Sequence, residues 1–200
     1  MTDIPRVVGI TGLAGSGKTL ASNWIVRNHN NAIRMSFARP LKMMIRKLLE
    51  DALPKTSPIT PGEYMEDPVH KNAPIPYVGN YSARRLMQTL GTEWGREALH
   101  PDFWVLIAAG KLERLMASPF KSGKSTPLNA VFDDVRFENE VDMIRAYGGF
   151  VMRIERPGAA PVEAHASEHL AFEPDVVLVN DGTPEDLYEK LAVLLPPTAT

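Results

Sequence analysis

A glycine-rich run followed by a lysine and a threonine, GLAGSGKT, occupies residues 12–19. It fits the pattern G-x-x-x-x-G-K-[ST], whose glycines let the backbone curl until successive N–H groups point at phosphate oxygens. In such a loop the lysine reaches the β- and γ-phosphates of a nucleotide, and the hydroxyl ligates Mg²⁺. The spacing therefore predicts a loop that binds ATP and Mg²⁺, with the metal on Thr19, through Gly12, Ala14, Gly15, Ser16, Gly17, Lys18 and Thr19.

Two other segments resemble functional motifs, and we expect neither to act as one. KSGKST at residues 121–126 repeats the G-K-S triplet, but the pattern needs glycine at position 118, where the chain has serine. We predict a solvated loop there. HASEH at residues 165–169 matches the zinc-protease pattern H-x-x-E-H. Prolines at 157, 161 and 174 oppose the long helix that would bring both histidines to one metal, so we predict no zinc site.

Acids and arginines near the ends of later strands are candidates for handling the transferred phosphate. Asp133 and Asp134 end the third predicted strand, where an aspartate can steer Mg²⁺. Arg136 follows two residues later, and its guanidinium can stabilise charge on a phosphoryl group in transfer. Arg153 and Arg156 leave the fourth predicted strand towards an irregular segment, which suits an arginine-bearing lid over about residues 153–173.

The stretch from residue 83 to 96, ARRLMQTLGTEWGR, carries groups suited to a second, accepting ligand. It offers cations for an acceptor phosphate, and amide and aromatic groups for a base, at Arg84, Arg85, Gln88, Glu93, Trp94 and Arg96. The segment SFARP after the second predicted strand, with Arg39 and Lys42 nearby, also favours an anionic acceptor. The fifth predicted strand ends in VNDGT and lacks the N-K-x-D element with which a G protein reads guanine. For Trp104 we expect core packing.

The elements that must position these residues alternate between strand and helix. Apolar runs predict strands at residues 6–11, 31–37, 128–134, 150–155 and 175–180, and helical periodicity fills most of the intervals. This order predicts an α/β three-layer sandwich, a five-stranded parallel sheet with helices on both faces. We expect one domain over residues 1–200. Within it, residues 51–80 hold six prolines and predict a long irregular insertion, and the helix from residue 81 should break at Gly91.

Composition limits the classes of protein that fit. The chain has 200 residues, 44% of them hydrophobic, a net charge of −2 and no cysteine. This excludes disulfides and thiolate metal sites, and the charge argues against wrapping a nucleic-acid backbone. We find no signal peptide and no apolar run of membrane-spanning length, and therefore expect a cytoplasmic protein with no membrane partner.

Several pieces, in the same order along the chain, resemble the bacteriophage deoxynucleoside monophosphate kinases. They are GLAGSGKTLAS, MSFARPLK, RRLMQTLGTEWGRE, VFDDVRFENEVDMIRAYGG, HASEHL and VNDGTPEDL. These kinases belong with the phosphate-loop nucleotide kinases. The resemblance implies transfer of the γ-phosphate of ATP to deoxynucleoside 5′-monophosphates with Mg²⁺, acceptance of several bases, and DNA precursor supply in the cytoplasm of an infected bacterium.

The family's roles carry over onto individual positions of this sequence. Lys18 and Thr19 match the ATP and metal residues, and the D-V-R element favours Asp134 over Asp133 for the metal, with Arg136 acting on the transition state. Arg153 and Arg156 resemble the lid arginines. The remaining candidates are Lys42, Arg85, Gln88, Trp94, Arg96 and Glu168 near the monophosphate, and Asn180 near the nucleotide.

Two alternatives stay open from the sequence. One is another small-molecule kinase on this scaffold, such as one that phosphorylates a coenzyme A precursor. The other is a nucleotide-binding switch or a DNA-associated ATPase, which would hydrolyse ATP without a phosphorylated small product. We expect a small-molecule substrate and no nucleic-acid partner, and a homodimer is compatible with the sequence.

Overall fold

The structure is a computed structural model that describes residues 7–29, 32–117, 129–159 and 172–197. Its described elements are, in chain order, β1 (Val7–Thr11), α1 (Lys18–Asn28), β2 (Ala32–Met35), α2 (Arg39–Ala52), α3 (Pro61–Glu66), α4 (Ala83–Thr89), α5 (Phe103–Ala117), β3 (Asn129–Phe132), α6 (Glu138–Ala146), β4 (Phe150–Glu155), β5 (Val176–Val179) and α7 (Pro184–Leu194). Two 3₁₀ turns, His70–Asn72 and Pro76–Val78, and a π-helical segment, Leu90–Leu99, complete them.

The chain divides into two compact units. Unit 1 comprises Met1–Phe37 and Ile107–Thr200, and unit 2 comprises Ala38–Leu106. This differs from the expected single domain with an insertion, because residues 51–80 belong to a compact unit that starts earlier and ends later. Across the described ranges, no helix combines the length and the apolar character needed to cross a bilayer.

Unit 1 contains a parallel sheet with strand order β2-β3-β1-β4-β5. The chain lays β2 and β3 on one side of β1, and β4 and β5 on the other. The carboxyl end of β1 therefore lies where the strand order reverses, which is where open α/β sheets form their ligand sites. The five predicted strands are confirmed, each within three residues of its expected ends.

Helices cover both faces of this sheet, as predicted. On one face α1 and α7 pack on the sheet through buried aliphatic side chains, namely Val8, Ile10, Ala21, Ile25, Val131, Met152, Ile154, Leu187 and Leu191. On the other face α6 approaches Gly9 so closely that a Cβ there would lie 2.7 Å from Ile144 Cδ1. The expected capping box of α7 is present: Thr183 N donates to Asp186 Oδ2 (2.7 Å) and Asp186 N donates to Thr183 Oγ1 (3.3 Å).

Unit 2 has its own core, and it corrects the prediction for residues 51–80. Part of this stretch is helical, because Pro61 stands at the first helical position of α3 and Thr60 forms a capping box with Glu63. Tyr64 and Ile75 are buried in a cluster with the α2 side chains Ile45 and Leu49, and with Met65 and Ala83. Proline here starts a short helix rather than excluding one.

The predicted break at Gly91 is also wrong. The helix continues from α4 into the π-helical segment, which ends with His100 N donating to Gly95 O, five residues back. Both glycines pack against Trp104: its Nε1 donates to Gly91 O (2.8 Å), and a Cβ at Gly95 would lie 2.6 Å from that nitrogen. Trp104 is 2% exposed, which confirms its predicted core role.

Candidate active site

The phosphate loop curls between β1 and α1 through backbone angles that favour glycine. Gly12, Gly15 and Gly17 have φ of +139°, +76° and +109°. Two of these positions are also sterically closed, since a Cβ on Gly12 would lie 2.3 Å from Ile154 O and one on Gly17 would lie 2.6 Å from Asn180 Nδ2. The glycines are therefore required both by the left-handed conformation and by the packing.

The amino terminus of α1 is open to an anion. Gly17 caps the helix without any side-chain hydrogen bond, and its first turn contains no acidic residue. The first N–H groups of a helix lack intrahelical partners and carry the positive end of the dipole. Among the described residues, the buried hydroxyls of Thr11 and Ser16 make no hydrogen bond. This donor set fits phosphate oxygens.

The Lys18 ammonium is held over its own loop. Nζ donates to Gly12 O (2.8 Å) and to Leu13 O (2.7 Å). These two carbonyls hold the charge beside the open helix terminus, and contact of Lys18 with the β- and γ-phosphates stays a prediction. Thr19 occupies the next position on α1, at the start of the helix where the motif places the metal-binding hydroxyl.

Asn180 is hydrogen-bonded to the phosphate loop. Its backbone N donates to Glu155 O (2.7 Å), and its buried side-chain Nδ2 donates to Ser16 O (2.8 Å). The residue therefore ties the end of β5 to the loop. A direct contact between Asn180 and a nucleotide stays a prediction.

The adjacent aspartates after β3 face different partners, as the alternation of side chains along a strand predicts. Asp133 is buried, forms an ion pair with Arg34 of β2, and accepts a hydrogen bond from Ser22 Oγ of α1 (3.4 Å). The single hydrogen of this hydroxyl has a second acceptor within reach, Thr19 O at 3.2 Å. Asp133 is thus tied to the first turns of the phosphate-loop helix.

Asp134 is less buried and binds the segment after β2. Its Oδ2 accepts from Ser36 Oγ (2.7 Å), and its Oδ1 accepts from Phe37 N (3.0 Å). These bonds fix the carboxylate at the carboxyl end of the sheet. The choice of Asp134 as the metal residue stays a prediction.

The structure places Arg136 on a well-anchored turn and reveals a residue that sequence reasoning missed. Arg136 is exposed. Its backbone N donates to Glu140 Oε2 (2.7 Å), and Phe137 N donates to the same oxygen (3.2 Å). Glu140 is 2% exposed. A glutamate three residues after a helix N-cap is a sequence signal that could have identified it.

The first of the two predicted lid arginines belongs to the sheet, and a lid beyond the strand stays a prediction. Arg153 lies inside β4, paired in register with Thr11 of β1 and Val177 of β5, and its Nη2 donates to Phe172 O (2.8 Å). Arg156 is exposed and follows the strand directly. The strand runs to Glu155, as the sequence predicts, so the predicted lid overlaps the last three residues of β4.

Two charged candidates of unit 2, Lys42 and Arg85, each lie beside a complementary group. Lys42 Nζ lies 3.3 Å from Glu66 Oε1 in an exposed ion pair. The exposed Arg85 guanidinium lies over the Tyr81 ring, 5.9 Å from its centroid, which is within cation–π range. Arg85 follows Ser82, which caps α4 by accepting from the backbone N of Arg85.

The other unit 2 candidates lie at the end of α4 and in the π-helical segment. Gln88 is half-buried, and Arg96 Nη1 donates to Pro101 O (3.2 Å). Trp94 is 38% exposed and packs edge-to-face on Phe103, with ring centroids 5.5 Å apart. A partly exposed tryptophan can stack on an aromatic ligand, and the role of Trp94 in base binding stays a prediction.

Some predictions fall outside the described residues. These are the substrate role of Glu168, the absence of zinc at HASEH, and the solvated loop at KSGKST.

Comparison with known proteins gives one consistent family. The chain is 28% identical over 194 residues to a protein of Acanthamoeba polyphaga mimivirus that is provisionally named a deoxynucleotide monophosphate kinase, covering 92% of this chain and 93% of that protein. It is 33% identical to the deoxynucleotide monophosphate kinase of Enterobacteria phage T4 and 32% identical to that of Escherichia phage RB69. These matches cover 56% and 58% of this chain, but only 44% and 45% of the phage proteins.

Among solved structures, TT1252 from Thermus thermophilus is similar over 96% of this chain and 97% of that chain, with a TM-score of 0.46 and 17% identity. The model of the deoxynucleotide monophosphate kinase family matches residues 64–191. That range begins within α3 and takes in the acceptor candidates from Arg85 to Arg96 and the turn that carries Arg136. It covers more than half of the chain, which therefore belongs to the deoxynucleotide monophosphate kinase family.

Proposed function

We propose that this protein transfers the γ-phosphate of ATP to deoxynucleoside 5′-monophosphates and accepts more than one base. The observation that carries the proposal is the phosphate loop. Its three left-handed glycines, its uncapped helix terminus and the Lys18 ammonium over two loop carbonyls form a donor set suited to a triphosphate. Family membership favours a deoxynucleotide acceptor over a coenzyme A precursor.

The proposed reaction requires little covalent chemistry from the protein. An oxygen of the acceptor's 5′-phosphate attacks the γ-phosphorus. The bond from that phosphorus to the β–γ bridging oxygen breaks, and ADP leaves with the electron pair. The acceptor phosphate is already ionised at neutral pH, so the reaction needs no general base. The protein's contribution is positioning and electrostatic stabilisation.

In this mechanism unit 1 supplies the charge that stabilises the transferred group. Lys18 binds the β- and γ-phosphates, and Arg136 stabilises charge that develops on the phosphoryl oxygens. Arg153 and Arg156 are proposed to add positive charge. When bound, Mg²⁺ would be held through Thr19 and Asp134 and would neutralise charge on the phosphate oxygens.

The acceptor is proposed to bind unit 2. Lys42, Arg85 and Arg96 would contact its phosphate, while Gln88 and Trp94 would contact its base by hydrogen bonding and stacking. The support is that Arg85, Gln88, Trp94 and Arg96 combine cations, an amide and an exposed indole within one family-matched stretch, and Lys42 lies before that stretch. A base contact that depends on stacking tolerates several bases, because every base has an aromatic face.

The viral origin of the relatives supports a biological setting for this activity. We propose that the enzyme supplies DNA precursors in the cytoplasm of an infected bacterial cell. Its partners would be small molecules and, in one alternative, a second copy of the chain.

The proposal is tested by incubating the protein with Mg·ATP and each of the four deoxynucleoside monophosphates, then separating the products. Parallel incubations use the four ribonucleoside monophosphates. We expect diphosphates from at least two deoxynucleotides, each formed together with one equivalent of ADP. Hydrolysis of ATP with no monophosphate consumed would contradict the kinase proposal and favour the ATPase alternative.

A further inference from the structure

The turn between β3 and α6, residues 133–137, is anchored on both sides of Arg136. Asp133 and Asp134 are held by the side-chain contacts described above. Val135 N donates to Ile10 O (3.2 Å), and its side chain is buried. Of the five residues in this turn, only Arg136 is exposed. The backbone is thus fixed at a residue whose side chain is accessible to solvent.

Glu140 provides the anchor on the far side of the turn. It is the third residue of α6, where a glutamate in a capping box accepts from the N-cap residue alone. Here the same oxygen, Oε2, accepts from the N-cap residue Phe137 and also from Arg136, which lies outside the helix. The bond to Arg136 is the shorter of the two, at 2.7 Å against 3.2 Å.

Because this carboxylate is buried, loss of its hydrogen bonds would be costly. A buried carboxylate is costly unless it is hydrogen-bonded, and bonds to a charged acceptor are stronger than neutral ones. Helix capping alone needs only one of these two bonds, and the exposed Glu63 of α3 caps its helix with no buried carboxylate. The second bond restrains the backbone of the residue whose side chain we assign to the transferred phosphate.

We infer that Glu140 is a positioning residue, which acts on phosphoryl transfer by fixing the backbone from which Arg136 projects. The inference rests on the proposed function, because it takes Arg136 to stabilise charge on the phosphoryl group. In this role Glu140 acts through Arg136 and not by contact with the substrate. Positioning of this kind is sensitive, since a displacement of about 1 Å can cost about 10²-fold in rate.

The first test compares three substitutions of Glu140 by steady-state kinetics with Mg·ATP and an accepted deoxynucleotide. Glu140→Ala removes the acceptor, and Glu140→Asp keeps the charge but is shorter by one methylene. We expect each to lower kcat about tenfold or more, with both KM values changed less than about threefold. Glu140→Gln retains an oxygen that can accept both bonds, and should keep kcat within about threefold of the original.

A matched control separates positioning from loss of helix capping. Glu63 stands at the same helical position in α3, where its Oε2 accepts from Thr60 N (2.7 Å). Glu63→Ala should lower the melting temperature and leave kcat within about twofold. All variants are assayed well below their melting temperatures, measured by circular dichroism. If Glu140→Ala does not fold, Glu140→Asp carries the test.

The second test is a double-mutant cycle with Arg136→Ala. If Glu140 acts through Arg136, then Glu140→Ala should lower kcat in the original background and change it little when Arg136 is already absent. An equal loss in both backgrounds, or an unchanged kcat in both the Ala and Asp variants, would overturn the inference. Failure of the proposed function is a distinct result, in which the unsubstituted protein forms no diphosphate.

Discussion

The phosphate loop of unit 1 and the acceptor candidates of unit 2 are held in different ways. The loop is defined by its backbone: left-handed glycines, a carbonyl pair under Lys18, and Asn180 buried behind it. The acceptor candidates depend on side chains that lie partly or largely in solvent, such as Arg85 over Tyr81. Few sequences can form a site that is built from backbone groups, whereas many different sequences can supply a set of exposed polar side chains. This is why one motif identifies the donor site and family membership is needed for the acceptor.

The largest effect is expected at Lys18. Lys18→Ala should lower transfer severely with the fold intact, because it removes a preorganised charge from the β- and γ-phosphates. Loss of one such contact costs about 2.7–4 kcal/mol, or roughly 10²–10³ in turnover. Steady-state kinetics measure the turnover, and a melting curve shows whether the fold is intact. Lys190→Ala is a suitable control, since Lys190 Nζ also donates to a backbone carbonyl, that of Val179, and has no assigned role. Unchanged turnover in folded Lys18→Ala would refute the phosphate-loop assignment.

The second effect separates the two aspartates after β3. Asp134→Asn should lower turnover by about 10²-fold and raise the Mg²⁺ concentration needed, because a bound metal contributes several kcal/mol and each ~1.4 kcal/mol is a factor of ten. Asparagine keeps one oxygen that can accept from Phe37 N, so the fold should remain.

Asp133→Asn should act mainly on stability, since it weakens a buried carboxylate's contacts with Arg34 and Ser22. A loss of about 1 kcal/mol would lower the melting temperature by about 2–4 °C in a chain of this size. Turnover and melting temperature are measured for both variants. If Asp133→Asn is the more damaging to turnover while both proteins stay folded, the assignment of Asp134 is wrong.

The third effect tests the acceptor side. Arg85→Ala should raise the KM for the deoxynucleotide about tenfold, equivalent to ~1.4 kcal/mol, and leave the KM for ATP unchanged. Arg46→Ala is the control, because Arg46 is another exposed arginine of unit 2 and pairs only with Glu50 among the contacts described for it. Equal KM values for the deoxynucleotide in the Arg85 and Arg46 variants would show that Arg85 does not bind the acceptor.

The smallest effect sets the pH range in which these comparisons apply. His29, after α1, is buried, and desolvation lowers its pKa below the usual 6.5, an effect that the backbone of Leu195 offsets only in part. The unfolded chain therefore binds a proton that the folded chain resists. The stability from the neutral imidazole is complete above about pH 6.5 and is lost as the pH falls towards the lower, folded-state pKa, by at most ~1.4 kcal/mol per pH unit.

Melting temperatures between pH 5 and 8 measure this slope. His29→Gln should make the dependence of melting temperature on pH shallower below pH 6.5, because the variant lacks the proton that the unfolded chain binds at His29. The same slope in the variant as in the original protein would show that other groups cause it. Kinetic comparisons of the two regions belong above pH 6.5, where His29 does not alter the folded fraction.

The sequence by itself determined the features that rest on local physics. The phosphate loop was defined by Lys18 and by the three glycines before it, which a tight left-handed turn requires. Alternation of apolar runs with helical periodicity defined the parallel sheet and its covering helices. The box formed by Thr183 and Asp186 marked the start of α7. Each of these is set by backbone angles or by neighbours within one helical turn.

Only the tertiary structure decided the features that depend on distant partners. Past Gly91 the helix packs on Trp104, which occupies the space that a side chain at Gly95 would fill. The partner of Asp133 on α1 is 111 residues away in sequence. Glu140 stands close to Arg136 along the chain, but its role follows from burial, which makes its two hydrogen bonds obligatory. Composition and periodicity indicate that a carboxylate is present, whereas the packing around it determines which N–H groups it must bind.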